Sequence, residues 1–218
     1  MRIGVIGNGG MAAVLGGRWA LAGHDVLVGG RDETRAAALA GRLTADGGTV
    51  RSGTSREAAE HGTDAVLLAV PAAVAAEVAA GLADGLAGRT VIDCTNPVGA
   101  GFTLTTPPGV STASAIAAAA PRANVVKAFN LCHESVWATS PVYDGRPLAV
   151  PLCGDDPAAL AAVRALTTDL GADPVDGGGL ARAGLLEATA ALLIGLWVGA
   201  GVDAQAIAPP LSAAGPVA

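Results

Sequence analysis

The sequence is poor in aromatic residues, in charge and in lysine. Only 3% of its 218 residues are aromatic and 15% are charged, whereas 51% are hydrophobic. The apolar residues are therefore mostly Ala, Val and Leu, which predicts a closely packed core of small side chains. Lys127 is the only lysine, and the net charge of -6 argues against a surface that binds nucleic acid.

Cysteine is also scarce, with Cys94, Cys132 and Cys153 widely spaced along the chain. An odd number without ligand spacing excludes the usual zinc patterns and a disulfide framework. We therefore expect reduced thiols, no metal site and a cytoplasmic protein. No signal peptide is expected either, because the first apolar run is short and Gly-rich sequence follows it at once.

Long hydrophobic runs are almost missing. The longest covers residues 188–202, is interrupted by glycines and follows Glu187 directly. A membrane span requires about 20 apolar residues. Since the sequence before this run is typical of a soluble α/β protein, we expect no membrane insertion.

Apolar runs of strand length alternate with Ala- and Leu-rich segments of helical length. This alternation predicts an α/β fold with a Rossmann-type, doubly wound, mostly parallel sheet and a small C-terminal extension that ends in a long apolar helix. Strands are predicted at residues 2–7, 25–29, 49–52, 65–70, 90–93, 124–128, 149–153 and 173–175, and helices at 10–22, 32–45, 55–61, 72–83, 111–120, 158–170 and 180–197.

The length fits one compact domain. We predict that it covers residues 1–206, with the Rossmann core at 1–130 and the extension at 131–206. The Pro- and Ala-rich residues 207–218 are expected to form a disordered tail. The last helix is apolar all round, and a helix of this kind must be buried. Because little of the chain remains to cover it, we expect a homodimer.

The strongest local motif is GxGxxA at residues 7–12, between the first predicted strand and the first predicted helix. Gly7 permits a sharp turn, Gly9 lets a pyrophosphate approach the main chain, and Ala12 lets the helix pack closely. The helix N-terminus offers free N–H groups and the positive end of its dipole. This context predicts a dinucleotide site, and the alternative is a glycine turn without a ligand.

The end of the second predicted strand indicates which dinucleotide binds. NAD-binding proteins usually carry Asp or Glu there, for the ribose 2′-OH. Here Gly29 and Gly30 are followed by Arg31, and Arg35 lies one turn further on. A guanidinium binds a 2′-phosphate in bidentate fashion, so these residues favour NADP(H). Asp32, beside Arg31, is the exception to this pattern, because a carboxylate would repel a 2′-phosphate; it could instead cap the next helix.

Seven segments occur in an order that resembles the NADPH-dependent reductases of the deazaflavin coenzyme F420. They are GNGGMA, HDVLVGGR, DAVLLAVP, VIDCTNP, VVKAFN, PLCGDD and PVDGGGLARAGLLE, between about Met1 and Trp197. The cytoplasmic domains of metalloreductases look similar at the same motifs. The resemblance implies a dimeric oxidoreductase that binds NADP(H) and uses coenzyme F420 as its second substrate.

The resemblance also implies cofactor-binding residues. Those that match the family's cofactor segments are Gly7, Asn8, Gly9, Gly10, Met11 and Ala12 at the pyrophosphate, Gly30, Arg31 and Arg35 at the 2′-phosphate, and Ala69, Val70, Pro71, Asn96, Pro97, Ala128, Phe129 and Asn130 at the nicotinamide half. Asn8 stands where Thr or Ser is common, and Gly30 replaces a Ser. The second change removes a hydroxyl that would donate to the phosphate.

No catalytic triad is evident, which is consistent with hydride transfer, because that reaction depends mainly on alignment. His133 is the one candidate for a general acid, and its alternative is a structural histidine in a loop. Cys132 beside it has no evident base other than His133, so we do not expect a nucleophilic role.

The predicted pocket lies where three strands end, between Val70–Pro71, Asn96–Pro97 and Phe129–Asn130. The glycines at 177–179 and the start of the last helix are expected to close its far side. A flat substrate would then stack on the nicotinamide. The alternatives to coenzyme F420 are a small imine, enone or carbonyl, or a cofactor-binding module without turnover.

Overall fold

The computed structural model describes residues 1–202, so the predicted domain end at 206 and the tail at 207–218 lie outside the described residues. This part of the chain contains ten strands: β1 Arg2–Ile6, β2 Asp25–Gly29, β3 Val50–Gly53, β4 Ala65–Leu68, β5 Thr90–Asp93, β6 Asn124–Lys127, β7 Val142–Tyr143, β8 Arg146–Pro147, β9 Ala149–Gly154 and β10 Asp173–Gly178. The α-helices are α1 Gly10–Leu21, α2 Glu33–Ala45, α3 Ser55–His61, α4 Ala72–Gly81, α5 Thr112–Ala119, α6 Glu134–Trp137, α7 Pro157–Asp169 and α8 Ala183–Ile194.

Eight strands form one sheet in the order β10-β9-β6-β5-β4-β1-β2-β3. Strands β1 to β6 are parallel, β9 is antiparallel to β6, and β10 is parallel to β9. The strand order reverses between β1 and β4, so the sheet is wound outward in both directions from that point. The predicted Rossmann-type, doubly wound fold is confirmed.

Small residues let the helices lie very close to the sheet. A Cβ atom at Gly4 would overlap the main-chain carbonyl of Ala58, and one at Gly29 would overlap that of Thr54. Helix α3 therefore rests directly on β1 and β2. Two buried clusters, one on each face of the sheet, consist mainly of Ala, Val, Leu and Ile. The sequence predicted this core of small side chains.

Side-chain caps mark the starts of two helices. Asp32 accepts a hydrogen bond from the Arg35 main-chain N–H at 3.1 Å and caps α2. Ser111 caps α5 through the main-chain N–H of Ser114 at 3.0 Å. These side chains satisfy N–H groups that a helix leaves free at its start.

The extension after β6 departs from the sequence prediction in three places. Helix α6 and the short β7–β8 hairpin were not predicted, because segments of two to four residues show no periodicity. Gly177 and Gly178 belong to β10, which was predicted to end at residue 175. The last helix is long and apolar, as predicted: it covers Leu180–Gly199, with a 3₁₀ turn at Leu180–Arg182 and a π-helical turn at Gly195–Gly199.

The last helical segment is largely uncovered within one chain. Leu180–Gly199 is long and apolar enough to cross a membrane by length and composition, and 22% of its most apolar window is buried. Leu185, Leu192 and Val198 are exposed. Glu187, in contrast, is fully buried against the sheet. One face of the helix thus belongs to the core and the other is free.

Candidate functional site

The turn between β1 and α1 has the geometry of an anion site. Gly7 has φ +123°, and a Cβ there would overlap the carbonyl of Ala69, so only glycine fits. Gly9 precedes α1, and a Cβ on it would meet nothing within 4 Å. The main-chain N–H groups of residues 8–12 have no hydrogen-bond partner within residues 1–202. Free donors beside open space fit a pyrophosphate.

Glu134 lies against this turn, which the sequence did not predict. A Cβ at Gly10 would overlap the Glu134 carboxylate, so the two residues are in direct contact. Helix α6 begins at Glu134 and thereby brings the carboxylate to the start of α1. The positive end of the helix dipole attracts any anion. Glu134 therefore places a carboxylate beside the end of α1 at which a phosphate is expected.

The residues expected at the 2′-phosphate come together at the end of β2. Gly30 is buried, and the nearest atom to a Cβ built on it is Asn8 Nδ2, at 3.3 Å. Asn8 therefore lies next to the position that a Ser side chain at residue 30 would take, and its amide is a hydrogen-bond donor there. Arg31 is exposed and forms no ion pair in the described part of the chain. Arg35 pairs with Asp32, at 3.3 Å between Nε and Oδ2.

The three segments expected at the nicotinamide share one edge of the sheet. They follow β4, β5 and β6, which are neighbouring parallel strands. Ala69–Pro71, Asn96–Pro97 and Ala128–Asn130 are thus adjacent, as the topology requires. The Phe129 ring, however, is buried between Trp19 and Trp137, with ring centroids at 5.9 and 5.5 Å. Any cofactor contact of Phe129 must come from its main chain.

The main chain at Phe129 is strained. Its φ of +62° is rare for a bulky residue. Conformations of this kind cost roughly 1–3 kcal/mol and persist only where the surroundings enforce them. Here the edge-to-face contacts with Trp19 and Trp137 hold the ring, so the main chain turns sharply at the carboxyl end of β6.

A buried ion cluster lies at the same edge, and the sequence analysis missed it. Lys127 Nζ donates to Asp93 Oδ2 at 2.9 Å and to Glu187 Oε1 at 2.8 Å, and all three side chains are fully buried. It also donates to the main-chain oxygen of Thr95. Glu187 accepts from the main-chain N–H of Thr112 at 3.0 Å, at the start of α5. The cluster therefore joins β5, β6, α5 and α8.

Opposing effects act on the pKa of Lys127. Burial by itself lowers the pKa, but the carboxylates of Asp93 and Glu187 outweigh it and hold the pKa above its ordinary value. Lys127 is thus a permanent cation at neutral pH, between two carboxylates. One sequence feature could have indicated this buried ion cluster: the only lysine of the chain lies near the end of a predicted strand.

The other candidate groups are not arranged as catalysts. His133 is exposed and caps α6, with Nδ1 at 3.3 Å from the Ser135 main-chain nitrogen and at 3.0 Å from its hydroxyl. Burial raises the pKa of Cys132 to about 11 and, with the charge of Asp93, that of Cys94 to about 12. Both thiols are therefore protonated at neutral pH. Within residues 1–202, no cluster of metal-ligating side chains occurs.

Comparison with known protein families finds a match over the N-terminal part of the chain. Residues 2–97 match the model of a family described as "NADP oxidoreductase coenzyme F420-dependent". These residues contain the pyrophosphate turn, the Gly30–Arg31 pair and the turn at Asn96. The resemblance inferred from the motifs is therefore confirmed. No curated protein sequence matches the chain.

Solved structures extend the similarity beyond residue 97. A candidate F420-dependent NADP reductase from Arthrobacter sp. FB24 is 26% identical with a TM-score of 0.81, over 93% of this chain and 96% of that one. A hypothetical protein from Sinorhizobium meliloti is 27% identical with a TM-score of 0.74, over 84% and 88%. An imine reductase from Pseudomonas sp. is 20% identical with a TM-score of 0.63, over 93% and 68%. The last similarity shows the fold alone.

Proposed function

We propose that this chain, an NAD(P)-dependent oxidoreductase with a Rossmann fold, exchanges hydride between NADP(H) and the deazaflavin coenzyme F420. The observation that carries the proposal is the turn at Gly7–Gly9, with its free N–H groups, in a segment that matches the F420-dependent family. When bound, NADP(H) supplies or accepts the hydride. The chain binds, orients and shields the two partners, which accounts for a site without a catalytic acid.

The residues at each part of the cofactor follow from their positions. The N–H groups at the start of α1 bind the pyrophosphate, and Asn8, Arg31 and Arg35 bind the 2′-phosphate. The segments after β4, β5 and β6 hold the nicotinamide half. The start of α8 closes this end of the site, because the Leu186 carbonyl reaches Asn130 at 3.1 Å. Gly177 and Gly178 lie in the edge strand instead.

Reduction of a small neutral imine, enone or carbonyl is the second candidate, and one feature favours it. A groove of about 700 Å³ lies between the loop at Leu104–Ser111 and the start of α8. It is lined by Leu104, Thr106, Pro107, Pro108, Gly109, Val110, Ser111, Ser114, Ala181, Gly184 and Leu185, none of them charged. Such a lining suits a neutral, mostly apolar substrate.

Turnover assays separate the candidates. NADPH oxidation is measured with coenzyme F420 and with a panel of imines, enones and small carbonyls. We expect turnover with the deazaflavin and little with the panel. The reverse pattern would support the second candidate, and tight NADPH binding without any turnover would indicate a binding module.

Cofactor preference tests the assignment of Arg31. We expect Arg31→Ala to weaken NADPH binding by about 1.5–3 kcal/mol, the range for a hydrogen bond to a charged group. The affinity for NADH should stay nearly unchanged. Fluorescence titration with NADPH and with NADH measures both affinities. Arg42→Ala is the control, since Arg42 is exposed in the last turn of α2, remote from the Gly30–Arg31 pair. Equal affinities for NADPH and NADH in the wild type would contradict the assignment.

We also propose a cytoplasmic homodimer that pairs through the free face of α8. Leu192 is 57% exposed on this face, while Glu187 ties the opposite face to Lys127 of the sheet. This buried ion pair favours a partner chain over a membrane as the cover of the helix, because withdrawal of the helix would expose the charges to lipid.

Light scattering tests the dimer. We expect a mass near twice the 21.0 kDa of the chain, and a shift toward the monomer for Leu192→Glu. Leu21→Glu is the matched control, since Leu21 is 56% exposed at the end of α1. A wild-type monomer over a wide range of concentrations would refute the proposal.

A further inference from the structure

Two asparagines at the predicted nicotinamide edge bind each other reciprocally. Asn96 Nδ2 donates to the main-chain oxygen of Asn130 at 2.6 Å, and Asn130 Nδ2 donates to Asn96 Oδ1 at 2.9 Å. Asn130 Nδ2 also donates to the main-chain oxygen of Leu186 at 3.1 Å. Each amide nitrogen thus faces an acceptor. A flipped amide would place its oxygen against another acceptor oxygen. These contacts therefore fix the orientation of both side chains.

The pair leaves one donor unused. Asn96 is half-buried, its oxygen is engaged by Asn130, and its nitrogen donates one of its two hydrogens. Its second N–H has no partner within residues 1–202. Asn96 therefore offers a donor and withholds its oxygen from any ligand.

Asn130 holds this arrangement at a cost to stability. It is 4% exposed, and its Oδ1 is buried without a hydrogen-bond partner in the described residues. A buried acceptor left unsatisfied costs about 1–3 kcal/mol. An apolar residue at this position would avoid that cost, but it could not bind Asn96 and the carbonyl of Leu186 together.

The surroundings make the pair rigid. Asn96 follows Thr95, whose carbonyl accepts from Lys127, and Leu186 precedes Glu187 of the same buried cluster. Asn130 follows Phe129, whose ring is held between two tryptophans. Supporting contacts like these keep a binding group within the narrow tolerance that alignment demands.

We propose that Asn130 is a positioning residue that fixes Asn96, and that Asn96 donates its free N–H to the carboxamide oxygen of the nicotinamide. The inference rests on the proposed NADP(H) function. The pyrophosphate site lies at β1 and the 2′-phosphate site at β2, so the nicotinamide half extends over the ends of β4 to β6. A hydrogen bond to the carboxamide fixes which face of the ring meets the substrate.

Two ligands isolate this contact. NADP⁺ contains the nicotinamide half, whereas adenosine 2′,5′-bisphosphate contains only the adenosine half with its 2′-phosphate. We expect Asn130→Leu and Asn96→Asp to weaken the binding of NADP⁺ about three- to tenfold, the effect of one hydrogen bond. The affinity for the bisphosphate should stay unchanged. Arg31→Ala should weaken both. Asn124→Asp, at the opposite end of β6, is the control that should weaken neither.

The thionicotinamide analogue of NADP⁺ identifies the acceptor, because sulfur accepts a hydrogen bond more weakly than oxygen. The wild type should prefer NADP⁺ to this analogue, and both asparagine variants should lose the preference. A preference that survives in the variants would place the contact on the ribose and overturn the carboxamide assignment. Variants that bind NADP⁺ like the wild type would overturn the inference alone, whereas a wild type that does not bind NADP⁺ would refute the proposed function.

Discussion

Replacing Lys127 with methionine is expected to lower the free energy of unfolding by about 3–5 kcal/mol, the usual cost of removing one partner from a buried ion pair. Asp93 and Glu187 would keep two carboxylates in a fully buried site without a cation. Thermal or denaturant unfolding measures the loss. Because the cluster joins β5, β6 and α8 beneath the Asn96–Asn130 pair, we expect turnover to fall as well.

A surface pair provides the control for this variant. Arg122 and Asp84 form an exposed ion pair at 2.6 Å, and Arg122→Met should cost less than about 1 kcal/mol. The combined variant Asp93→Asn, Lys127→Met, Glu187→Gln removes every charge of the cluster and should recover part of the loss. A cost for Lys127→Met no larger than that for Arg122→Met would show that the cluster does not stabilise the fold.

The contribution of the cluster to the free energy of unfolding is expected to depend on pH only in the alkaline range. The pKa of Lys127 is raised in the folded chain, so its contribution is complete below the ordinary lysine value of about 10.4. It is lost only as the pH rises through the higher folded value. We therefore expect the wild type to retain this contribution through neutral and mildly alkaline pH. An unfolding free energy that declines from neutral pH upward in the wild type, but not in Lys127→Met, would contradict this.

Gly9→Val is expected to abolish most NADPH-dependent activity without changing stability. A Cβ on Gly9 meets no atom within 4 Å, and its φ of -84° suits any residue, so the unliganded fold accepts a side chain. The same side chain would fill the space beside the free N–H groups and displace the pyrophosphate. We expect kcat/KM to fall about 10²-fold, the loss that follows when a reactant is bound out of position. The unfolding midpoint should stay unchanged.

Substitutions at two other glycines are the controls for Gly9→Val. Gly81→Ala in α4 also meets open space and should alter neither activity nor stability by much. Gly7→Ala should destabilise the fold itself, because Gly7 has φ +123° and faces the Ala69 carbonyl. If Gly9→Val retained wild-type affinity for NADPH, the pyrophosphate would have to bind elsewhere.

Local sequence determined the elements that have a clear period or a capping residue. Strands β2 and β5 and helix α3 have the predicted bounds, since apolar runs or a capping box define them. Strands β1, β4 and β6 are one or two residues shorter than predicted, because the main chain leaves the sheet to form the loops of the site. Helix α6 had no such signal, and Glu134 was missed with it.

The glycine turn at residues 7–12 and the role proposed for Arg31 could be predicted from sequence, because each depends on a few consecutive residues. The partners in the ion cluster and the asparagine pair are far apart in the chain: Lys127 is 34 residues from Asp93 and 60 from Glu187, and Asn96 is 34 from Asn130. No local pattern relates such positions. Parallel pairing of β5 with β6, and the return of α8 over their carboxyl ends, decided which side chains meet there. The sequence by itself therefore determined the fold class and the phosphate turn, whereas only the tertiary structure could place Lys127 and Asn130, since their roles depend on groups brought together by folding.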